Sequence, residues 1–118
     1  MMCYKAGCAD RGAAHFIGKG RGAHPMKIFV TGGAGYIGSH VGKALGKHGH
    51  AILTYAKLST GNRRAVLCGE LLVGDVGDVA SVERIVREFR PDAAMHFSAS
   101  IVVSDSVRQP LAYYLNNT

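Results

Sequence analysis

The chain has 118 residues, of which 47% are hydrophobic, and this is enough for one domain with a packed core. No apolar run reaches the roughly 20 residues of a membrane-spanning helix, so we expect no membrane partner. The net charge is +6, but half of the excess lies within residues 1–25 and no basic stripe follows, which argues against a nucleic-acid partner.

Cysteine and histidine usage also excludes some classes of protein. The three cysteines, Cys3, Cys8 and Cys68, are an odd number without paired spacing, and the six histidines are scattered. We therefore expect no disulfide framework and no metal site. A reducing cytoplasm is the compartment that this pattern favours.

Residues 1–25 differ from the rest of the chain, because they are basic and glycine-rich and show no sustained period. We interpret them as a leader that takes no part in the fold, and residues 26–118 as the domain. The alternative is a functional basic arm. Met26 directly precedes the first predicted strand, which favours the leader.

The most informative segment is an apolar strand followed at once by glycines. Lys27–Thr31 predicts the strand, and Tyr36–Lys47 predicts a helix. Between and within them lies a G-x-G-x-x-G spacing, formed by Gly33, Gly35 and Gly38 with Gly32 in front. Strand, glycine turn and helix in this order are typical of a dinucleotide site, where backbone N–H groups at the helix start bind a pyrophosphate. A purely structural glycine turn is the alternative.

Strands and helices continue to alternate along the chain. We predict strands at 51–55, 71–73 and 93–97, a turn at 59–62, a helix from Asp78 to Phe89 and a last helix over 106–116. Pro91 stops the first of these helices. Strands separated by helices predict an α/β fold, a doubly wound parallel sheet of the Rossmann type with about four strands.

Five motifs stand in a fixed order along the predicted domain. They are TGGAGYIGSH from Thr31, LSTG from Leu58, Gly74-Asp75-Val76, RPDAAMHFSA from Arg90, and the segment 106–117 with its Tyr-Tyr and Asn-Asn pairs. This ordered set resembles the N-terminal portion of the UDP-glucose 4-epimerases, which belong to the extended short-chain dehydrogenase/reductases. The resemblance covers residues 26–118.

By position, the resemblance implies which residues would contact each part of a bound NAD. Those along the pyrophosphate would be Gly32, Gly35, Tyr36, Ile37 and Gly38. Asp75 would accept from the adenine amino group, with Val76 beside the ring. Those near the nicotinamide would be Phe97, Ser98 and Ala99, with Asn116 reaching in from the last helix. Taken alone, Asp75 would be a turn residue and Phe97 a core aromatic.

The chain departs from this family at the end of the second strand. The family has an Asp-Asn pair there, whose carboxylate binds the adenine ribose and selects NAD. This chain has Ala56 and Lys57, and the lost hydrogen bonds should weaken NAD binding by about one to two orders of magnitude. Lys57 could instead accommodate the 2′-phosphate of NADP. Alternatively, both residues are lesions in a chain that no longer needs NAD.

A second departure concerns catalysis. The family uses a Tyr-x-x-x-Lys pair, in which the lysine lowers the tyrosine pKa for proton exchange with the sugar. No tyrosine in this sequence has a lysine four residues on, so we assign no catalytic residue. The resemblance implies epimerisation of a UDP-hexose through a 4-keto intermediate, but only with a substrate half that these residues lack. A standalone or vestigial NAD(P)-binding module is the alternative.

The predicted sheet has a further implication for assembly. Four parallel strands would leave a sheet edge open, together with apolar surface beside it. Open edges present unpaired backbone groups that another chain can bind. We therefore expect self-association through this edge.

Overall fold

The computed structural model describes residues 24–59 and 61–118, so most of the predicted leader lies outside it. The strands are β1 (Lys27–Thr31), β2 (Ala51–Ala56), β3 (Glu70–Val73) and β4 (Ala93–His96). The helices are α1 (Tyr36–Lys47), α2 (Val79–Phe89), α3 (Val103–Arg108) and α4 (Pro110–Asn117), with one 3-10 turn at Arg63–Ala65.

All strand pairs are parallel, and the sheet order is β3-β2-β1-β4. In this register Phe29 lies beside Leu53 on one side and Ala94 on the other. The chain therefore moves outward from β1 to β3 and then returns to the far side of β1. That reversal creates a topological switch point between β1 and β4, and the predicted doubly wound fold is confirmed.

The alternating residues of β1 and β2 build a core on each face of the sheet. One core consists of Ile28, Val30, Ile52 and Cys68, with Leu45 of α1 packed against it. The other consists of Phe29, Leu53, Tyr55 and Ile85, with Val82 and Phe89 of α2. Because α1 covers one face and α2 the other, both strands are apolar over most of their length, as central strands of a parallel sheet usually are.

The prediction of a single last helix over 106–116 is wrong in one respect, because two helices, α3 and α4, occupy this region. α3 ends at Arg108, and Gln109 has φ −134° and ψ 61°, outside the helical range. Pro110 then starts α4. A proline disfavours the helical conformation of the residue before it and suits the first position of a helix, so the chain breaks between the two.

The expectation of no disulfide is wrong for Cys68, which is disulfide-bonded. An odd count and irregular spacing do not tell which cysteines a fold brings together. Cys3 and Cys8 lie outside the described residues.

Within residues 24–59 and 61–118, no helix is both long and apolar enough to cross a bilayer. The same residues contain no group of three or more His, Cys, Asp or Glu that could hold a metal ion.

Candidate functional site

A cleft of about 270 Å³ opens at the carboxyl ends of the parallel strands. Of the predicted site residues, it is lined by Gly32, Gly35, Lys57, Asp75, Val76, Phe97, Ser98, Ala99 and Asn116. Tyr36, Ile37 and Gly38 are not part of this lining and lie in the first turn of α1. The cleft lies at the switch point, which is where open α/β sheets bind ligands.

Gly32 brings the end of β1 against the end of β4. Its φ is +69°, and a Cβ at this position would lie 2.6 Å from the carbonyl carbon and oxygen of Phe97. Its N–H donates to the carbonyl of Tyr55 at 2.8 Å, which ties the turn to β2 as well. Only glycine fits this conformation and this space, and Gly32 therefore lines the cleft with bare backbone.

Gly38 holds the start of α1 against the same turn. A Cβ there would lie 2.6 Å from the carbonyl oxygen of Gly32 and 2.7 Å from Gly33 Cα. Gly35 is the N-cap residue and provides no side-chain cap, and the first turn carries no acidic residue. Tyr36 and Ile37, at 83% and 63% exposed, do not cover the helix start. An uncapped helix N-terminus beside a glycine turn suits an anion such as a pyrophosphate.

The part of the cleft beside the ends of β2 and β3 is built around an ion pair that the sequence did not predict. Lys57 Nζ lies 2.7 Å from Asp75 Oδ2, while Asp75 Oδ1 accepts from the Gly77 N–H at 3.0 Å. The hydrogen bond from Lys57, followed by that from Gly77, lowers the pKa of Asp75. The same contact raises the pKa of Lys57. Both groups are therefore charged at neutral pH, and Ala56 beside them offers no acceptor side chain.

Tyr55 packs under the turn that carries Asp75 and donates a hydrogen bond to it. Its ring is buried in the core and its hydroxyl donates to the Asp75 carbonyl at 3.2 Å. Burial, then the nearby charge of Asp78, raises the pKa of Tyr55, so the phenol stays protonated and keeps donating. Gly74 lies so close to the ring that a Cβ would overlap it. The turn carrying Asp75 is thus held by Tyr55, which does not itself line the cleft.

The opposite end of the cleft is closed by Asn116, Asn117 and Ser100. Of these, only Asn116 was a predicted site residue. Asn117 Oδ1 accepts from the Ser100 N–H at 2.9 Å, and its Nδ2 donates to the Ser100 carbonyl at 3.0 Å. Asn116 Nδ2 donates to Ser100 Oγ at 2.7 Å. These bonds join α4 to the segment after β4. The Asn-Asn pair was a visible signal, but nothing local in the sequence indicates that Ser100 is its partner.

The loop after β2, which contains the LSTG motif and was predicted to be a turn, borders the cleft. Leu58 and Gly61 both line the cleft. The Asn62 N–H donates to the Ala34 carbonyl at 3.2 Å, and a Cβ on Gly61 would lie 2.8 Å from that oxygen. The loop therefore packs directly on the glycine turn. Leu58 has φ +59°, an uncommon value for a residue with a side chain.

One end of the cleft has residues that fit a dinucleotide. The other end differs from the usual NAD site. The glycine turn and the uncapped start of α1 fit the pyrophosphate. The strand-end acid that normally binds the adenine ribose is absent, because Ala56 holds that position and is followed by Lys57.

Comparison with known proteins agrees with this architecture. The NAD dependent epimerase/dehydratase family matches residues 28–118. The UDP-glucose 4-epimerase of Azospirillum brasilense is 50% identical over 93 residues, which are 78% of this chain and 27% of that protein. The crystal structure of the Brucella ovis UDP-glucose 4-epimerase in complex with NAD matches with a TM-score of 0.73 and 42% identity, over 75% of this chain and 27% of that one.

A third relative was solved with a sugar nucleotide. The Thermotoga maritima UDP-glucose 4-epimerase with UDP-glucose matches with a TM-score of 0.72 and 34% identity, over 77% of this chain and 30% of that one. The chain thus spans less than a third of the length of these relatives. Fold, glycine turn and sequence all agree, and the chain belongs to the NAD dependent epimerase/dehydratase family.

Proposed function

We propose that residues 26–118 form the dinucleotide-binding part of a UDP-glucose 4-epimerase. The observation that carries this proposal is the uncapped start of α1, held by Gly38 against the turn at Gly32. Support also comes from the Brucella ovis relative, which was solved in complex with NAD. Bound NAD would supply a hydride acceptor for oxidation of the sugar at C4.

The chain's own contribution would be to bind and orient this cofactor. Gly32, Gly35 and the first turn of α1 would hold the pyrophosphate through backbone N–H groups. Asp75 and Val76 would border the adenine. Phe97, Ser98, Ala99 and Asn116 would border the nicotinamide side. The 118 residues contain no Tyr-x-x-x-Lys, so we assign them cofactor binding and no proton transfer. Binding and epimerisation of a UDP-hexose would require further residues.

A second candidate is a standalone or vestigial module that binds NAD(P) without catalysis. Two features support this candidate, since Ala56 has no side-chain acceptor for the adenine ribose and Asp75 is engaged by Lys57. Both features would weaken NAD binding, which an active NAD enzyme would not tolerate easily. We propose a cytoplasmic location for either candidate.

The proposal is tested by titrating NADH with the purified chain and following NADH emission. The chain has no tryptophan, so its own emission interferes little. We expect saturable enhancement and a cofactor-dependent rise in melting temperature, because a ligand that binds only the folded state stabilises it. A folded sample that binds neither NADH nor NADPH would refute the proposal for both candidates. Epimerase activity towards UDP-glucose from the chain alone would refute our assignment of no proton transfer.

A further inference from the structure

The end of β2 is where dinucleotide sites of this type discriminate between a ribose hydroxyl and a ribose phosphate. An acid there binds the 2′-hydroxyl, whereas a basic group nearby accommodates a 2′-phosphate. Ala56 is the last residue of β2, lines the cleft and has no polar side-chain atom. The position that would select a free 2′-hydroxyl is therefore without its usual carboxylate.

Lys57 follows directly and is held within the cleft. Its ammonium has three donors, of which Asp75 takes one at 2.7 Å. Asp75 is fixed in turn by the Gly77 N–H at 3.0 Å, and its backbone carbonyl by the Tyr55 hydroxyl at 3.2 Å. Lys57 and Asp75 are the only charged residues that line the cleft within residues 24–59 and 61–118. The remaining donors of Lys57 have no other partner among the hydrogen bonds of those residues.

Charge decides which ribose this ammonium binds better. A phosphate monoester carries about −1.5 to −2 near pH 7, more than the single charge of Asp75, while a ribose hydroxyl carries none. The side chains of Lys57 and Asp75 are 66% and 50% exposed, so solvent weakens their attraction. A phosphate can therefore draw the ammonium from Asp75 or share it.

We propose that this cleft takes dinucleotides with a 2′-phosphate, with Lys57 as the specificity-determining residue and Asp75 as the carboxylate that competes with the phosphate for its ammonium. The inference rests on the proposed dinucleotide function and goes further by naming the class of cofactor. It differs from the relatives solved with NAD, whose reported cofactor has a free 2′-hydroxyl.

The test compares ADP-ribose with 2′-phospho-ADP-ribose by calorimetric titration of the full chain. These ligands differ only in the phosphate that Lys57 would bind. We expect the phosphorylated ligand to bind about tenfold more tightly or better, as hydrogen bonds to charged groups allow. The preference should fall as salt is added, because both charges lie near solvent.

Variants then assign the preference to Lys57. Lys57→Met should remove the preference for the phosphorylated ligand, and Asp75→Asn should increase the affinity ratio by releasing the ammonium. Lys47→Met is the matched control, since it removes the same charge from the last turn of α1, at the end away from the cleft. An equal loss of preference in this control would overturn the role of Lys57.

Two outcomes separate this inference from the proposed function. Equal or weaker binding of the phosphorylated ligand, with ADP-ribose binding intact, overturns the inference and leaves the proposed function standing. No binding of either ligand overturns both. The wild-type comparison decides the class of cofactor even where a variant does not fold.

Discussion

At the residue scale, Gly38 and Gly42 make a matched pair within α1. Gly38→Ala should destabilise the chain by about 1–3 kcal/mol and abolish NADH binding, because the new Cβ would press on the Gly32 carbonyl at 2.6 Å. Gly42→Ala should stabilise the chain by up to about 1 kcal/mol, since nothing lies within 4 Å of its Cβ position. Chemical unfolding and NADH titration measure both effects. Loss of binding in both variants would contradict the specific role of Gly38.

Also at this scale, the double change Ala56→Asp and Lys57→Asn should strengthen NADH binding by about one to two orders of magnitude. It introduces a carboxylate at the end of β2 and removes the ammonium that engages Asp75. NADH titration of this variant and of Lys57→Asn alone separates the two contributions. Unchanged affinity in the double variant would show that the end of β2 does not contact the ribose.

At the scale of elements, α2 depends on a single capping residue. Asp78 Oδ1 accepts from the Ser81 N–H at 3.2 Å and its Oδ2 from the Ser81 hydroxyl at 2.6 Å. Asp78→Ala should lower the melting temperature by roughly 4 to 8 °C, whereas Asp78→Asn should lower it much less, because Asn caps helices about as well. Thermal unfolding followed by circular dichroism measures this. Equal losses in the two variants would contradict a capping role.

The same cap predicts how stability depends on pH. The Ser81 hydroxyl, then the Ser81 N–H, lowers the pKa of Asp78 below its ordinary value. Its stabilising effect is therefore complete above the ordinary pKa of an aspartate and is lost as pH falls through the lowered value. Asp75 acts in the same direction, since Lys57 lowers its pKa. Melting temperatures between pH 5 and pH 2 should fall less steeply in Asp78→Asn than in the wild type, after correction for other carboxylates.

At the scale of elements, local sequence signals predict some features of the fold and miss others. The bounds of β1 and α1 agree with the prediction, because apolar period and glycine turn are local signals. The break at Gln109 was missed although Pro110 marks it, since the apolar period of the region runs across both helices. The pair of Lys57 and Asp75 joins residues on neighbouring strand ends, and only the parallel register of β2 and β3 brings them together. Such contacts leave no pattern along the chain.

At the scale of the whole molecule, apolar surface lies at an open sheet edge. Within the described residues β4 pairs only with β1, and Met95 is 39% exposed. Further exposed apolar side chains lie on the two helices that follow β4: Val103, Val107, Leu111, Tyr114 and Leu115. We expect oligomers by light scattering, because an edge of this kind can pair with a second copy.

Met95→Lys should shift this equilibrium towards the monomer, since a lysine on an edge strand opposes pairing. Val79→Lys is the control, because it adds the same charge at the exposed start of α2, away from that edge. A monomeric wild type would contradict the expected self-association. If the two variants shifted the oligomer equilibrium equally, self-association would not depend on the edge at β4.

The position of β1 between β2 and β4 has a consequence for synthesis. β1 can pair with β2 soon after both leave the ribosome, but its partner on the other side, β4, comes about 65 residues later. Until then the central strand of the sheet is itself an edge, with a row of unpaired backbone groups. Long-range parallel pairing is slow compared with helix formation. The nascent chain is therefore most exposed to misassembly just before β4 is made. The cleft is also incomplete until then, because Phe97 and Ser98, which directly follow β4, are part of its lining.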